Sequence, residues 1–243
     1  MYTLLLLQFC AHLLADFHFQ PQKWCDKKDS NLISKAHFYH ILIVFLCSWA
    51  FSLTISFWWG ALCITFAHFL LDILKGILFR KKKCRKQLFF IDQFLHFIII
   101  SFIVCLFSGC KTILFPVPIS LNLIFILFAL ILCTKPSNVF IRKYIEASGI
   151  KIANNDKKDE EKDNSLLKAG RVIGSLERIL SFVLILINQF AAVGFIIAAK
   201  TLLRFKDTDT AKTEYLLIGS FLSFGIAILL GIIYLVIFTS YII

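Results

Sequence analysis

The stretch MYTLLLLQFCAHLLADFHFQPQ, residues 1–22, decides how the rest of the chain is read. It is an apolar run of membrane character, yet it holds His12 and Asp16 four residues apart, a spacing that puts both on one helix face. Hydrocarbon penalises both groups, so the segment must offer them a partner, a cation or water. The run has no basic region ahead of it and no small-x-small cleavage site before Pro21. It is therefore expected to be a retained span and not a signal peptide.

The whole chain supports the membrane reading. Of 243 residues, 59% are hydrophobic and 17% charged, and 27 are Phe. With a mean hydropathy of +0.81, this lies outside the balance of a soluble domain. The eight cysteines show no CxxC or zinc-finger spacing and read as small apolar residues in a reduced environment. The net charge of +11 lies mainly in the connections between apolar segments. There it orients a membrane protein and meets lipid headgroups, so nucleic acid is not an expected partner.

Apolar segments near 3–20, 38–57, 59–79, 89–107, 119–134, 172–198 and 215–241 predict an all-α, polytopic helical bundle of about seven transmembrane helices. FRKKKCRKQ at 79–87 places six basic residues in the seven positions from Arg80 to Lys86 and is expected to be cytoplasmic. The connections 21–36 and 135–170 then fall inside and the N-terminus outside. Lys200, Arg204, Lys206 and Lys212 fit this less well, which points to a weak charge bias there or to a tilted or re-entrant piece within ILINQFAAVGFIIAAKTLLRF. The expected organisation is a transmembrane bundle over 1–134, a charged linker over 135–170 and a helical pair over 171–243.

All six histidines lie in the first 96 residues. His12 and Asp16, His68 and Asp72, and Asp92 and His96 are each four apart, while His37 and His40 are three apart. With the basic run inside, all four pairs reach the same cytoplasmic-side layer. Imidazole nitrogen with carboxylate oxygen is a ligand set for zinc, manganese or iron. His12, Asp16, His37, His40, His68, Asp72, Asp92 and His96 are the candidate ligands, enough for one divalent ion with supporting residues or for two ions. Structural pairing and a proton or ion path use the same residues. His12, Asp16, Lys75 and Asp92 are the catalytic candidates, although Lys75, like Lys35, also reads as an ordinary inner-end anchor that snorkels; one turn beyond Asp72, it is placed to neutralise that residue or to hold a phosphate. Gln20 and Gln93 are candidate supporting amides, and His18 and Lys35 read as interface residues.

HLLADFHFQPQKW, the His37/His40 pair, AHFLLDILK and DQFLH, in this order over residues 3–107, resemble the bacterial membrane family DUF3307, whose function is undefined. His12, Asp16, Gln20, His37, His40, His68, Asp72, Lys75, Asp92, Gln93 and His96 match its polar pattern, and GSLERIL and EYLLIGSFLSFG are similar to the tail of longer members. The resemblance implies a multi-pass protein of the bacterial inner membrane and assigns no catalytic residue. A looser likeness is to inner-membrane metal-dependent hydrolases.

In the C-terminal part, Glu177 and Arg178 read as an interfacial pair or as a contact to the site. Asn188 and Gln189 read as mid-membrane amides that bond between helices. Lys200 and Arg204 form a basic face for lipid phosphate or a charged substrate, and Gly219, Ser220, Ser223 and Gly225 permit close packing.

The leading functional expectation is an intramembrane metal-dependent hydrolase acting at the cytoplasmic face on a phosphate-bearing lipid or small amphiphile. A proton, metal-ion or small-solute transporter is the alternative, and a non-catalytic assembly module the third. Membrane lipids are the expected partners, and homo-oligomerisation is compatible with each reading. No Walker loop, dinucleotide fingerprint, HExxH, GxSxG or haem motif is present, which disfavours nucleotide hydrolysis, redox cofactors and serine acyl transfer.

Overall fold

The computed structural model describes residues 1–25, 34–80, 87–107, 119–149, 160–204 and 210–238, and no strand occurs among them. The chain divides into two compact units, Met1–Ile131 and Leu132–Ile243.

The first unit starts with α1, Tyr2–Leu13, which continues into a π-helical turn, Leu14–His18. It adds α2, Lys35–Phe51, a 3-10 turn at Ile55–Phe57, α3, Trp58–Arg80, α4, Leu88–Phe107, and α5, Leu121–Leu132, at its end. Helix α1 packs on α2 and α4, α2 on α3, and α3 on α4, so the first four helices close into a ring.

The physical logic of this unit is inverted relative to a soluble bundle. Along α4 the i,i+4 stripe Phe94, Ile98, Phe102 and Leu106 is exposed, Phe94 at 66%. The opposite stripe, Asp92, His96, Ile100 and Val104, is buried, His96 at 2%. Helix α3 repeats the scheme, with Phe66, Leu70 and Leu74 outside and Ala61, Thr65, His68 and Asp72 inside. An apolar exterior around a partly polar interior is what a hydrocarbon solvent selects. Half of the interior is dry: Phe57, Ala61, Ile64, Ile100, Ile103 and Val104 form one core cluster, backed by Leu4, Leu5 and Phe9. The polar half begins one helical turn away.

The second unit contains α6, Lys135–Ala147, α7, Glu160–Leu186, α8, Phe190–Arg204, and α9, Thr210–Phe238. Helix α9 packs on α6, α7 and α8. Residues 135–170, read from the sequence as a charged linker, are thus helical over Lys135–Ala147 and again from Glu160.

Against the expected seven spans, three among the described residues are long and apolar enough to cross a membrane: Ile55–Phe79, Leu88–Phe107 and Leu216–Phe238. The number is four if α5 and α6 together make one broken span, while Lys35–Phe51 and Phe190–Leu202 are apolar but shorter. The apolar segment 172–198 is two helices. Asn188 adopts a left-handed conformation, φ 59°, Gln189 N–H donates to Leu184 O at 2.8 Å, and Asn188 N–H donates to Ile185 O at 2.9 Å. That is a Schellman termination with Asn in the glycine position. Asn188 and Gln189 are exposed in this turn, so they end a helix; they are not amides bonding between helices. Close helix approach occurs at Gly231, where an added Cβ would lie 2.5 Å from Ile185 Cγ2, and not at Gly225, which has open space. Lys81 to Lys86 and the side chain of Arg80, which carry the expected topological anchor, lie outside the described residues.

Candidate functional site

The ring of α1 to α4 brings seven of the eight predicted ligands into one buried layer. Asp16 belongs to the π-helical turn, closed by Phe19 N–H donating to Leu14 O at 2.9 Å. Such turns recur at functional sites because the extra residue re-aims the side chains around it. Asp16 Oδ1 meets histidines from three helices. His68 Nε2 is 3.0 Å away, His40 Nε2 3.6 Å and His12 Nδ1 3.7 Å. Asp72 Oδ2 is in turn 3.7 Å from His40 Nε2 and 3.7 Å from His68 Nδ1. His40 and His68 thus join the two carboxylates.

Asp92 and His96 extend the layer along α4. Lys75 Nζ donates to Asp92 Oδ2 at 2.8 Å, and Gln93 Nε2 donates to the same oxygen at 3.2 Å. His96 Nδ1 lies 2.8 Å from the Asp92 carbonyl oxygen. A carbonyl only accepts, so this nitrogen carries the proton. The imidazoles are close together, with ring centroids 4.2 Å apart in an edge-to-face arrangement for His68 and His96 and 5.1 Å apart and stacked for His12 and His96. Gln93 Oε1 is 3.3 Å from His12 Nε2, which makes the expected supporting amide a link between α1 and α4.

Three overlapping groups of ligand atoms fall within 4.8 Å of one another: His12, Asp16 and His68; His40, His68 and Asp72; and Asp72, Asp92 and His96. Two ligands bound about 2.1 Å from one tetrahedral ion stand roughly 3.4 Å apart. The spacings of 3.0 to 3.7 Å around Asp16 and Asp72 are of that size. The donor set comprises three carboxylates, Asp16, Asp72 and Asp92, the last held by the Lys75 ammonium.

His37 is the eighth predicted ligand and stands apart from these groups. It is buried one turn before His40, and its Nδ1 lies 3.0 Å from Ser34 Oγ and accepts from Ser34 N–H at 3.3 Å, at the start of α2. Gln20 and His18 are half-buried and Lys35 is exposed. Two polar residues of this interior escaped the sequence reading. Gln8 Nε2 donates to Ser48 O at 2.9 Å, and Ser48 Oγ donates to Gln8 Oε1 at 2.6 Å. Gln8 is four residues before His12 and Ser48 eight after His40, both on the histidine faces, and that register was the available signal. A small cavity of about one water molecule's size lies between this pair and the centre, bounded by Gln8, Ala11, His12, Ser48, Ile64 and His68.

In the second unit Arg178 is 1% exposed. Its Nε donates to Cys133 O at 2.7 Å, Nη1 to Ser223 Oγ at 2.8 Å, and Nη2 to Asn138 Oδ1 at 2.6 Å, with longer bonds to Thr134 O and Ser175 Oγ. Every one of these partners belongs to the second unit. Glu177 pairs with Lys200, whose Nζ also lies 5.3 Å from the centre of the Phe224 ring. The expected basic face is thus neutralised at Lys200, and the Arg204 side chain lies outside the described residues.

The model of the family described as "Protein of unknown function (DUF3307)" matches residues 4–135. That match contains the whole polar layer. No curated protein and no solved structure matches the chain.

Proposed function

The chain belongs to the DUF3307 family, and we propose that its polar centre binds a divalent metal ion, zinc, manganese or iron, and uses it to hydrolyse a phosphate-bearing lipid or small amphiphile. The observation that carries this reading is the spacing of His12, His40, His68, Asp16 and Asp72 ligand atoms, 3.0 to 3.7 Å apart in one carboxylate–imidazole cluster. A bound divalent ion supplies Lewis acidity and a water activated near neutral pH. Asp16 and Asp72 are the anionic ligands, oriented by the imidazoles around them. His12 stands at the edge of the group beside the small cavity, its Nε2 donating to Gln93 Oε1 and its Nδ1 turned to Asp16 as a ligand for the ion. Lys75, with 30% of its side chain exposed, faces an arriving phosphate, with Asp92 holding its ammonium. In this reading the protein is a multi-pass component of the cytoplasmic membrane, with the first segment entering from outside and the polar layer near the inner face.

The test is elemental mass spectrometry of detergent-purified protein, never exposed to chelator, beside the Asp16→Asn/Asp72→Asn double variant. We expect near-stoichiometric metal in the first and its loss in the second, followed by metal-dependent turnover in a screen of phosphoesters and phospholipids. Absence of metal from both sinks the reading. Proton and solute flux in liposomes then becomes the experiment of choice. A transport function has one observation in its favour: the polar interior continues past the centre to Gln8 and Ser48.

A further inference from the structure

Of the three ligand groups, the one formed by Asp72, Asp92 and His96 differs from the others in already containing a cation. Lys75 lies three residues after Asp72 on α3, so both side chains descend on the same helix face. Its Nζ reaches Asp92 Oδ2 at 2.8 Å. The Lys75 side chain is 30% exposed and the carboxylate it meets 3% exposed, so the ammonium is the plug through which this end of the layer meets its surroundings. Gln93 Nε2 donates to the same oxygen, which holds the carboxylate in register.

His96 is prepared in the way metal-binding histidines are. Its Nδ1 is committed to the Asp92 carbonyl at 2.8 Å, which leaves Nε2 a bare lone pair, buried and without a hydrogen bond among the described residues. Metal-ligating imidazoles characteristically donate their second nitrogen to a carbonyl or carboxylate in this manner. Two carboxylates, an imidazole and a cation in the same group have the make-up of a second metal subsite in which an ammonium stands for the metal. Like charges at such separations repel strongly in a poorly solvated interior, so the ammonium and a divalent ion exclude one another from Asp92.

We infer that Lys75 is the built-in second cation of the centre: it fills the Asp92 subsite, limits the protein to one divalent ion held among His12, Asp16, His40, His68 and Asp72, and its removal opens a second metal site at Asp72, Asp92 and His96. Phosphoryl-transfer sites commonly use two cations about 4 Å apart as a clamp. Here the clamp is one metal and one ammonium, which fixes the metal count and gives the phosphate a cation that chelators do not remove. The inference rests on the proposed metal reading.

Manganese titration of metal-depleted, detergent-solubilised protein, with unbound ion counted by electron paramagnetic resonance, separates the two. We expect one equivalent for the unaltered chain, two for Lys75→Ala, one for Asp92→Asn and one for Lys75→Ala/Asp92→Asn. One equivalent in both the unaltered chain and Lys75→Ala overturns the inference and leaves the metal reading intact. Two in the unaltered chain does the same. No binding by the unaltered chain overturns the metal reading itself. If Lys75→Ala does not yield folded protein, Asp92→Asn decides: loss of its single equivalent would put the ion at Asp92 and refute the role given to Lys75.

Discussion

Among the described residues between Met1 and Ile131, the carboxylates of Asp16, Asp72 and Asp92 meet the Lys75 ammonium and the imidazoles of His12, His40, His68 and His96. Between Leu132 and Ile243 the deeply buried charge is the Arg178 guanidinium, answered by the carbonyls of Cys133 and Thr134, the amide of Asn138 and the hydroxyls of Ser175 and Ser223. Both interiors have removed ions from water, which is expensive in each case. The second has built a full set of acceptors around its ion. The first has gathered carboxylates and imidazoles at 3.0 to 3.7 Å. An interior of the second kind is complete as folded, whereas in the proposed reading one of the first kind is completed by a cation.

That contrast is open to attack from both sides. The largest stability effect belongs to Arg178→Met, which strands acceptors from several elements without a donor. Removing one member of a buried charged network costs about 3–5 kcal/mol, and thermal unfolding in detergent should show a loss of that size, insensitive to added metal. Asn138→Ala, which deletes one acceptor of the same guanidinium at 2.6 Å, should cost about 1.5–3 kcal/mol, the range for a hydrogen bond to a charged group. Asp72→Asn, which keeps the shape of the side chain, should have the smallest effect in metal-free protein, about 1 kcal/mol or less. The same substitution should abolish stabilisation by added manganese or zinc, which the unaltered chain gains by mass action. A loss of several kcal/mol from Asp72→Asn without metal would mean that the first interior is as self-sufficient as the second, and the contrast would fail.

The helical class and the polar layer were legible in the residues themselves. The i,i+4 pairs His12/Asp16, His68/Asp72 and Asp92/His96 set donors on single faces, and the exposed Phe94-to-Leu106 stripe shows why those faces turn inward. Span counting was less legible. Hydropathy averages over a window, and the turn at Asn188 lies within an apolar run because a left-handed Asn ends a helix without lowering its hydropathy much. The linker reading of 135–170 was drawn from charge, which does not distinguish an amphipathic helix such as Lys135–Ala147 from irregular chain. Gln8 and Ser48 went unnoticed as isolated polar residues in apolar runs, since only pairing across helices gives them a role.

What the sequence by itself determined is which faces carry metal-type donors and that those faces are buried in an apolar-coated bundle, because helical periodicity and solvent preference are local properties of the chain. What only the tertiary structure decided is which donors share an oxygen. His40 and His68 meet Asp16 and Asp72, Lys75 meets Asp92, and His37 meets Ser34. Those choices depend on the rotation and offset of one helix against another. They are set by side-chain packing across long sequence separations, which no periodicity within a single helix encodes.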